Sequence, residues 1–421
     1  MKIAILTVAW WERGGTDRVI MDHIKGLQQN GHDVTCFGAT VNKKLFRQVE
    51  NNIKPYFTEF PFPFYRVAFN IGVDLALSPM LAKRFKGHDV LICHHLPGPW
   101  IGYHAKKRFD VPYICVVHHP PIFLYPELLH GGIPWASDKN RQFIKFLAGL
   151  GPVRNLLMKA DYQSVTEADA VVTDSHMVAR LIKDTYGIEA IINYPGVNTS
   201  RFHPLQEAAR RYVLKKYGIE HPFILVTGRH TERKRLDWMI EILARLSDRD
   251  KHLTLVLDGQ SHQTHTPYLR ELAGKLKVPD RVRFIFSEPD DLAAVYGEAD
   301  LFAFPSPQEF YGLGPVEAMA CGTPVVAWND RSGPSETVLD GITGYLAAPY
   351  DLDDFAAKVH KILSNTYLRE KMGREAIFHA QKCFPIEKHI MKLQEVIDKV
   401  TRCPDSILNS KEVNINERIT C

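Results

Sequence analysis

Residues 223–257 read FILVTGRHTERKRLDWMIEILARLSDRDKHLTLVL and carry the clearest fold signal in the chain. Phe223–Thr227 and Leu253–Leu257 are short apolar runs of the kind found in buried strands. Between them, the apolar residues of Leu236–Leu246 recur at the spacing of one helical face. A strand, a helix and a second strand in this order predict a βαβ unit, and therefore a mostly parallel sheet.

The same alternation extends in both directions along the chain. Toward the C-terminus, the pattern predicts a helix at Pro267–Leu276 and strands at Val282–Phe286 and Leu301–Phe304. Toward the N-terminus, it predicts helices at Thr16–Gln29 and Met177–Tyr186. The strands predicted in that half are Lys2–Val8, Val34–Phe37, Val90–Cys93, Pro112–Val117 and Ala170–Thr173.

A turn-rich segment separates two such regions. Asn193–Asn198 and the pairs His203-Pro204 and His221-Pro222 interrupt the alternation. We therefore predict an α/β protein with two doubly wound domains, residues 1–195 and 196–385. A helix over 386–400 is expected to pack back on the first domain, and 401–421 to form a loose polar tail.

Composition and charge set wide limits on the class of protein. The 421 residues are 45% hydrophobic and 24% charged, which is ordinary for globular domains. Lys plus Arg exceeds Asp plus Glu by only 52 − 48 = 4, too little to indicate nucleic-acid binding. The seven cysteines are scattered without a CxxC pair, so we expect no disulfide framework or zinc site, and a cytoplasmic protein. No apolar run reaches the roughly 18 residues of a membrane-spanning helix.

One segment is too long for an ordinary strand-to-helix connection. Residues 122–159 interleave large apolar side chains with arginine and lysine. Apolar helical faces usually meet a core, which favours a helical insertion packed on its own domain. The alternative is an amphipathic segment that lies on a membrane or acceptor surface.

The strongest functional signal is residues 304–325, FPSPQEFYGLGPVEAMACGTPV, in which seven residues separate Glu309 from Glu317. Proline is favoured at the first helical position, so we predict a helix over Pro315–Cys321 that Gly322 ends. Glu317 then falls in the first turn, and Glu309 in the preceding loop. Each carboxylate can accept two hydroxyl groups of a sugar. The plainer alternatives are a favourable first-turn charge and a solvated surface residue.

Phosphate could bind next to these carboxylates. The backbone N–H groups of Gly312, Leu313 and Gly314 lie near the predicted helix N-terminus, a natural anion site. A basic segment, Arg229 to Arg235, follows the strand Phe223–Thr227 at the edge where ligands of parallel sheets bind. Arg229 and Lys234 can neutralise a diphosphate there, although basic clusters are often solvated faces.

The first domain carries weaker signals. Gly14-Gly15 follows the first strand without a GxGxxG spacing, and serves either as a plain turn or as a close approach to phosphate. His118 follows the strand Pro112–Val117 and could donate to a substrate hydroxyl or merely cap the strand. His119 is the alternative to His118 as the active-site histidine. Neither this pair nor His94-His95 has a carboxylate at ligand spacing, so no metal site is predicted.

Together these motifs resemble the retaining GT-B glycosyltransferases of glycosyltransferase family 4. The frame around Glu309 and Glu317 matches that family's EX7E motif, and Gly228-Arg229 with Lys234 matches its phosphate-binding pair. The likeness extends to the linker segment through Gly196-Val197-Asn198, where the family usually has Gly-Val-Asp. The turn Leu257–Gln260 is poorer in glycine than the family's.

The resemblance implies a fold and a set of roles. The fold would be GT-B, with two Rossmann-like domains facing across a cleft. Glu317 would bind the ribose, Glu309 a hydroxyl of the donor sugar, and Arg229 and Lys234 the diphosphate. Gly15 would approach the phosphates and His118 would face the sugar. The loop that contacts sugar and phosphate would be Phe310, Tyr311, Gly312, Leu313 and Gly314.

The expected activity is transfer of a hexosyl unit, mannosyl or glucosyl, to a hydroxyl of a glycan, lipid-linked or small-molecule acceptor. The donor would be GDP-mannose or a UDP-sugar, with no metal and no cofactor. The segment from Leu156 to Asp169 resembles enzymes that mannosylate lipid-linked oligosaccharides, which adds peripheral attachment to the inner membrane face as an option. The alternatives are a nucleotide-sugar 2-epimerase and a non-catalytic sugar-nucleotide-binding or membrane-scaffold subunit.

Overall fold

The computed structural model describes residues 1–7, 9–10, 14–38, 40–41, 53–55, 67–128, 151–247 and 249–402. Contacts divide these residues into two compact units. The first contains residues 1–128, 151–195 and 387–402, and the second contains 196–386. Most of the predicted insertion, 129–150, and the predicted tail from 403 onward lie outside the described residues.

The first unit is built on a parallel sheet. Among its described residues, seven strands lie in the order β5-β3-β1-β6-β7-β8-β9, and β2 pairs separately with β4. The strands are β1 Lys2–Leu6, β2 Ala9–Trp10, β3 Asp33–Gly38, β4 Thr40–Val41, β5 Ile53–Pro55, β6 Val90–Cys93, β7 Tyr113–Val117, β8 Ala170–Thr173 and β9 Ile191–Ile192.

Helices connect these strands, as the alternating pattern predicts. They are α1 Gly15–Gln29, α2 Val67–Leu81, α3 Gly98–Phe109, α4 Gly151–Thr166 and α5 His176–Tyr186, with short 3-10 turns at Ala82–Phe85 and Pro126–Leu128. A last helix, Ile386–Arg402, reaches this unit from the far end of the sequence and is numbered α14 below.

The central strands are buried on both faces, which explains their continuous apolar sequences. Every residue of β6, β7 and β8 is buried. One face of the sheet packs against α1, through Ile20 and Ile24, and against α14, through Leu393 and Ile397. The amphipathic pattern of α14 is therefore completed by the first unit, although its sequence follows the second.

The second unit repeats the architecture. Its six described strands lie in the order β12-β11-β10-β13-β14-β15, all parallel. They are β10 Phe223–Thr227, β11 Thr254–Asp258, β12 Val282–Ile285, β13 Leu301–Phe304, β14 Val325–Trp328 and β15 Gly344–Ala347. The helices are α6 Glu207–Tyr217, α7 Leu236–Leu246, α8 His265–Lys275, α9 Leu292–Glu298, α10 Leu313–Ala320, α11 Gly333–Thr337, α12 Leu352–Leu363 and α13 Thr366–Cys383.

The helix predicted over Pro315–Cys321 is misplaced by two residues. Helix α10 begins at Leu313, because Gly312 adopts φ +84° and turns the chain into the helix ahead of the proline. The sequence predicts Glu317 in the first turn of this helix, whereas the structure places it in the second turn.

Two further observations concern the whole described chain. No helix in the described ranges combines the length and apolar character needed to cross a bilayer. Among the described residues, Cys36, Cys93, Cys115 and Cys321 are buried free thiols.

Candidate functional site

Glu309 sits between two cations in the second unit. Its Oε1 atom lies 2.5 Å from a guanidinium nitrogen of Arg233, and its Oε2 atom lies 2.6 Å from the Lys234 ammonium nitrogen. The side chains of Glu309 and Lys234 are 12% and 22% exposed, so a ligand could still reach this ion cluster. Lys234 also lies over the ring of Phe304, the last residue of β13, at 5.3 Å.

The electrostatics of this cluster keep the Glu309 carboxylate ionised. Burial by itself would raise the pKa of Glu309, but Arg233 and Lys234 lower it to about 2. Burial lowers the pKa of Lys234, and the Glu309 carboxylate opposes that shift. The site therefore presents a fixed carboxylate flanked by positive charge at neutral pH.

Glu317 is buried behind the start of α10. It is 2% exposed, and its Oε2 atom accepts a hydrogen bond of 3.1 Å from the hydroxyl of Tyr296. That hydroxyl also lies 2.9 Å from the Thr227 hydroxyl at the end of β10. Tyr296 thus ties the second glutamate of the EX7E motif to the strand that precedes Arg229.

Two glycines allow α10 to start close to the sheet. A Cβ atom on Gly314 would lie 3.1 Å from the Phe302 ring and 3.2 Å from the Thr227 hydroxyl oxygen. Gly312 needs its positive φ to begin the helix. The first turn of α10 is therefore set directly over β10 and β13. Phe310 and Tyr311, the predicted contact residues ahead of it, are buried at 7% and 5% exposure.

The loop after β10 is equally close to its neighbour. A Cβ atom on Gly259 would lie 1.8 Å from the backbone oxygen of Gly228, so only glycine fits there. The Gly228 N–H donates to the carbonyl of Asp258 at 2.9 Å. The turn Leu257–Gln260, poor in glycine, thus still supports the loop that carries Arg229.

The two residues predicted to bind the diphosphate, Arg229 and Lys234, lie in different environments. Lys234 belongs to the Glu309 cluster, and Arg229 is exposed at the end of β10. Arg233, to which sequence reasoning gave no role, is the second cation on Glu309. The basic run itself could have indicated it, but only the 3-10 turn Glu232–Lys234 shows which side chains reach the carboxylate.

The sequence analysis also did not identify Tyr296 as a residue of the site. It stands on α9, outside every motif, and no local pattern distinguishes its hydroxyl from that of an ordinary core tyrosine. Its role follows from the fold, which brings α9 beside α10.

The first unit contains the other predicted residues. Gly15 is the first residue of α1 and is exposed, after the N-cap Gly14. His118 is 5% exposed, and both of its ring nitrogens have protein partners: Nδ1 lies 2.5 Å from an Asp174 carboxylate oxygen, and Nε2 lies 2.9 Å from Nδ1 of His94. His119 is half-buried, and its Nδ1 donates to the Pro120 carbonyl at 2.8 Å.

Comparison with known proteins follows the two units. Residues 13–201 match Glycosyltransferase Family 4, and residues 213–378 match Glycosyl transferases group 1. The D-inositol 3-phosphate glycosyltransferase of Salinispora tropica is 32% identical over 346 residues, which cover 78% of this chain and 67% of that protein. The protein of the same name from Actinosynnema mirum is 31% identical over 328 residues, 75% of this chain and 72% of that protein.

Solved structures share the fold at low identity. HepE of Anabaena in complex with UDP-glucose has a TM-score of 0.76 at 18% identity, over 95% of this chain and 100% of that chain. Sucrose-phosphate synthase from Thermosynechococcus elongatus has a TM-score of 0.75 at 18% identity, over 95% and 98%. These likenesses show the GT-B architecture, with two Rossmann-like domains, that the sequence predicts.

Proposed function

The chain belongs to glycosyltransferase family 4, and we propose that it moves a hexosyl unit from a nucleotide-diphosphate sugar to a hydroxyl group with retention of anomeric configuration. The chain is a glycosyltransferase by this kinship. The donor, the stereochemistry and the acceptor are the proposal. The ion cluster of Glu309 with Arg233 and Lys234, at the edge of the second unit's sheet, is the observation that carries it.

The donor binds at the carboxyl ends of the second unit's strands. Glu317 and the first turn of α10 hold the ribose and phosphates, and Glu309 accepts from hydroxyls of the donor sugar. The orphan N–H groups at the start of α10 favour an anion. HepE binds UDP-glucose, so UDP-glucose is the first donor to test, followed by GDP-mannose.

The transfer depends on a stabilised diphosphate leaving group and needs no nucleophile from the protein. The bond from the anomeric carbon to the diphosphate oxygen breaks, and a bond from that carbon to the acceptor oxygen forms on the same face. The acceptor proton passes to the departing diphosphate oxygen. Arg229 and Lys234 stabilise the charge that develops on the diphosphate, as preorganised cations do. A site of this kind works without a metal ion, and EDTA should leave turnover unchanged.

The acceptor is a hydroxyl of a small phosphorylated polyol, a glycan or a lipid-linked glycan. The relatives from Salinispora tropica and Actinosynnema mirum are named for D-inositol 3-phosphate, which makes inositol phosphate the first acceptor to test. For a lipid-linked acceptor, the chain would work attached to the membrane surface. Liposome flotation of full-length protein tests that attachment.

Nucleotide release tests the proposal directly. Purified wild-type protein and the Glu317→Ala variant are each incubated with UDP-, GDP- and ADP-sugars, with and without inositol phosphate. We expect one donor to release its nucleotide, faster with acceptor, and the variant to lose that release. Titration of the same nucleotides must then show weaker binding by the variant. Turnover that Glu317→Ala retains would contradict the donor site.

Two rival functions predict different products. A 2-epimerase on the same fold would convert the donor sugar without any acceptor and without releasing nucleotide. A binding or scaffold subunit would bind nucleotide and turn over nothing. Product analysis of the same reactions separates all three, because only the transferase yields a glycosylated acceptor.

A further inference from the structure

The loop that carries Glu309 lies against the connection between β14 and α11. We term residues 305–312, between β13 and α10, the glutamate loop, and residues 329–332 the support loop. Because β13 and β14 pair in parallel, both loops leave the same edge of the sheet side by side. The indole N–H of Trp328 donates to the Pro305 carbonyl at 2.8 Å. The last residue of β14 thus holds the first residue of the glutamate loop.

Two further hydrogen bonds hold the glutamate loop around Glu309 itself. The Oδ2 atom of Asp330, in the support loop, accepts from the backbone N–H of Gln308 at 2.8 Å. The backbone N–H of Gly333 donates to the Glu309 carbonyl at 2.8 Å. Only the backbone torsions of Gln308 and Glu309 lie between these two bonds. They therefore restrict the direction in which the Glu309 side chain leaves the backbone.

The backbone of Gln308 adopts a conformation that a residue with a Cβ atom seldom takes. Its φ angle is +47°, in the left-handed region, where the Cβ atom comes too close to the following carbonyl oxygen. Such a conformation persists only where the surrounding contacts fix it. The Gln308 N–H is the group that Asp330 accepts from, so this carboxylate holds the strained residue in place.

Other hydrogen bonds fix the carboxylate of Asp330 independently of Gln308. Its Oδ2 atom also accepts from the Tyr350 hydroxyl at 3.2 Å, and its Oδ1 atom accepts from the Ser332 backbone N–H at 3.1 Å. Burial, reinforced by Asp330, raises the pKa of Tyr350, so the tyrosine keeps the hydrogen that it donates. The Ser332 N–H has a second acceptor, the hydroxyl oxygen of Ser335, at 3.1 Å.

We propose that Asp330 is a positioning residue for Glu309. It holds the Gln308 N–H and so keeps the glutamate loop in the conformation that sets the Glu309 carboxylate between its two cations. Asp330 acts as a hydrogen-bond acceptor, and its negative charge is not required. The consequence for transfer rests on the proposed function, in which Glu309 accepts from hydroxyls of the donor sugar. Since Tyr296 holds Glu317 separately, loss of Asp330 should weaken contacts with the sugar and spare those with the nucleotide.

Hydrogen exchange of the full-length protein tests the loop without any need for activity. In Asp330→Ala, peptides that cover residues 305–312 should exchange faster than in the wild type. In Asp330→Asn they should exchange at the wild-type rate, because the amide oxygen still accepts from Gln308 and the Ser335 hydroxyl still accepts from Ser332. Unchanged exchange in Asp330→Ala, or equally fast exchange in Asp330→Asn, overturns the proposal.

A carboxylate at the opposite edge of the same sheet provides the matched control. Asp250 is half-buried ahead of β11, and its Oδ1 atom accepts from the backbone N–H groups of His252 and Leu253 at 3.1 and 3.0 Å. Asp250→Ala removes the same kind of bond and should speed exchange only in its own loop. Faster exchange of residues 305–312 in this variant would show that any loss of stability opens the glutamate loop, and would overturn the proposal.

Glycine at position 308 tests the conformation that Asp330 maintains. Glycine adopts positive φ angles readily, whereas alanine does not. In the Asp330→Ala background, Gln308→Gly should therefore restore part of the protection of residues 305–312, and Gln308→Ala should restore none. Equal behaviour of the two double variants would show that Asp330 does not act through the backbone of Gln308.

Kinetics then connect the loop with sugar transfer. With a donor that the wild type turns over, Asp330→Ala should lower kcat roughly 10- to 100-fold, since misplacement by about 1 Å can cost that much. The Kd of the corresponding nucleoside diphosphate should stay at the wild-type value. Asp330→Asn and Asp250→Ala should keep the wild-type kcat. A structural defect alone would weaken nucleotide binding and turnover together.

Two outcomes separate the positioning role from the proposed function. A wild type that turns over no donor would contradict the proposed function alone, because hydrogen exchange decides the state of the glutamate loop independently. Wild-type kcat in Asp330→Ala, or a nucleotide Kd that rises as much as kcat falls, would contradict the role of Asp330 in placing Glu309 for transfer.

Discussion

The ion cluster around Glu309 shows how single residues define the donor site. Arg233 and Lys234 come from one short turn, and each contacts a different oxygen of the same carboxylate. A partly buried carboxylate with two cations stays ionised, and the cations remain near the surface where a diphosphate could join them. The arrangement can therefore bind hydroxyls and phosphate together.

Lys234 should contribute to turnover more than to folding. We expect Lys234→Ala and Arg229→Ala each to lower kcat by about 10² to 10³, the effect of removing one preorganised donor from developing charge. Lys216→Ala, which removes an exposed ion pair with Asp291 in the same unit, is the control and should keep wild-type kcat. Steady-state kinetics with the active donor provide the measurement. Wild-type turnover by Lys234→Ala would show that the diphosphate lies elsewhere.

The buried histidines should make the first unit sensitive to acid. His23, His94 and His389 have pKa values below about 6.5 in the folded chain, so below pH 6.5 the unfolded chain binds more protons. The free energy of unfolding should therefore fall as the pH drops from 6.5 toward 4. For His389 alone, a pKa of about 4 corresponds to a loss of roughly 3 kcal/mol at low pH.

Hydrogen exchange can locate this acid sensitivity. Peptides that cover β6, β7 and β8 should lose protection between pH 6.5 and 4, after correction for intrinsic exchange rates. His389→Gln removes one titrating ring, and the pH dependence should become shallower. A protection pattern in the first unit that does not vary with pH would show that the histidines are not buried neutral.

At the scale of elements, the start of α10 depends on two glycines, Gly312 and Gly314, which have no side chains. Gly314 leaves no side chain between the helix and the Phe302 ring, and Gly312 provides the turn. The helix N-terminus thereby comes close to β10 and β13, whose carboxyl ends carry the charged residues. Close packing here places the first turn of α10 beside the Phe302 ring and the Thr227 hydroxyl.

A single methyl group should displace this helix start. Gly314→Ala would place a Cβ atom 3.1 Å from the Phe302 ring, and we expect a loss of about 1–3 kcal/mol in unfolding free energy together with weaker donor binding. Gly274→Ala, on α8 with nothing within 4 Å, is the matched control and should gain roughly 0.5–1 kcal/mol. Denaturant unfolding and nucleotide titration measure both. Equal stability of the two variants would contradict the close packing.

At the scale of the whole molecule, the path of the chain matters as much as its elements. The chain builds one unit, crosses near Pro195, builds the second, and returns with α14 to complete the first. The buried face of α14 includes Leu393, Val396, Ile397 and Val400, which join the core of the first sheet. Folding of the first unit therefore requires residues separated from it by the entire second unit.

The contribution of α14 to the stability of the first unit can be tested with substitutions on that helix. Leu393→Ala removes a fully buried side chain, and we expect the first unit to lose about 2–5 kcal/mol of stability. Met391→Ala, two residues away and 57% exposed, should stay within about 0.5 kcal/mol of wild type. Hydrogen exchange of β1 and β6 peptides distinguishes this from damage to the second unit. Unchanged protection in Leu393→Ala would show that α14 does not stabilise the first unit.

Much of the fold could be predicted because strands of a parallel sheet carry a local signature. Val90–Cys93, Ala170–Thr173 and Phe223–Thr227 were predicted with the bounds that the structure has. The start of α10 was wrong, since Pro315 favours a helix start whereas the φ of Gly312 decides it. Propensity describes a residue, but a positive φ belongs to a particular turn.

The sequence alone determined the α/β alternation, the two glutamates seven residues apart and the basic segment after β10, because each is a pattern within a short stretch. Only the tertiary structure decided that Arg233 and Lys234 share Glu309, that Tyr296 holds Glu317, that His118 contacts Asp174, and that α14 brings His389 against His23. These contacts join residues far apart in sequence. They arise where parallel strands end at a common edge, a geometry that no local pattern contains.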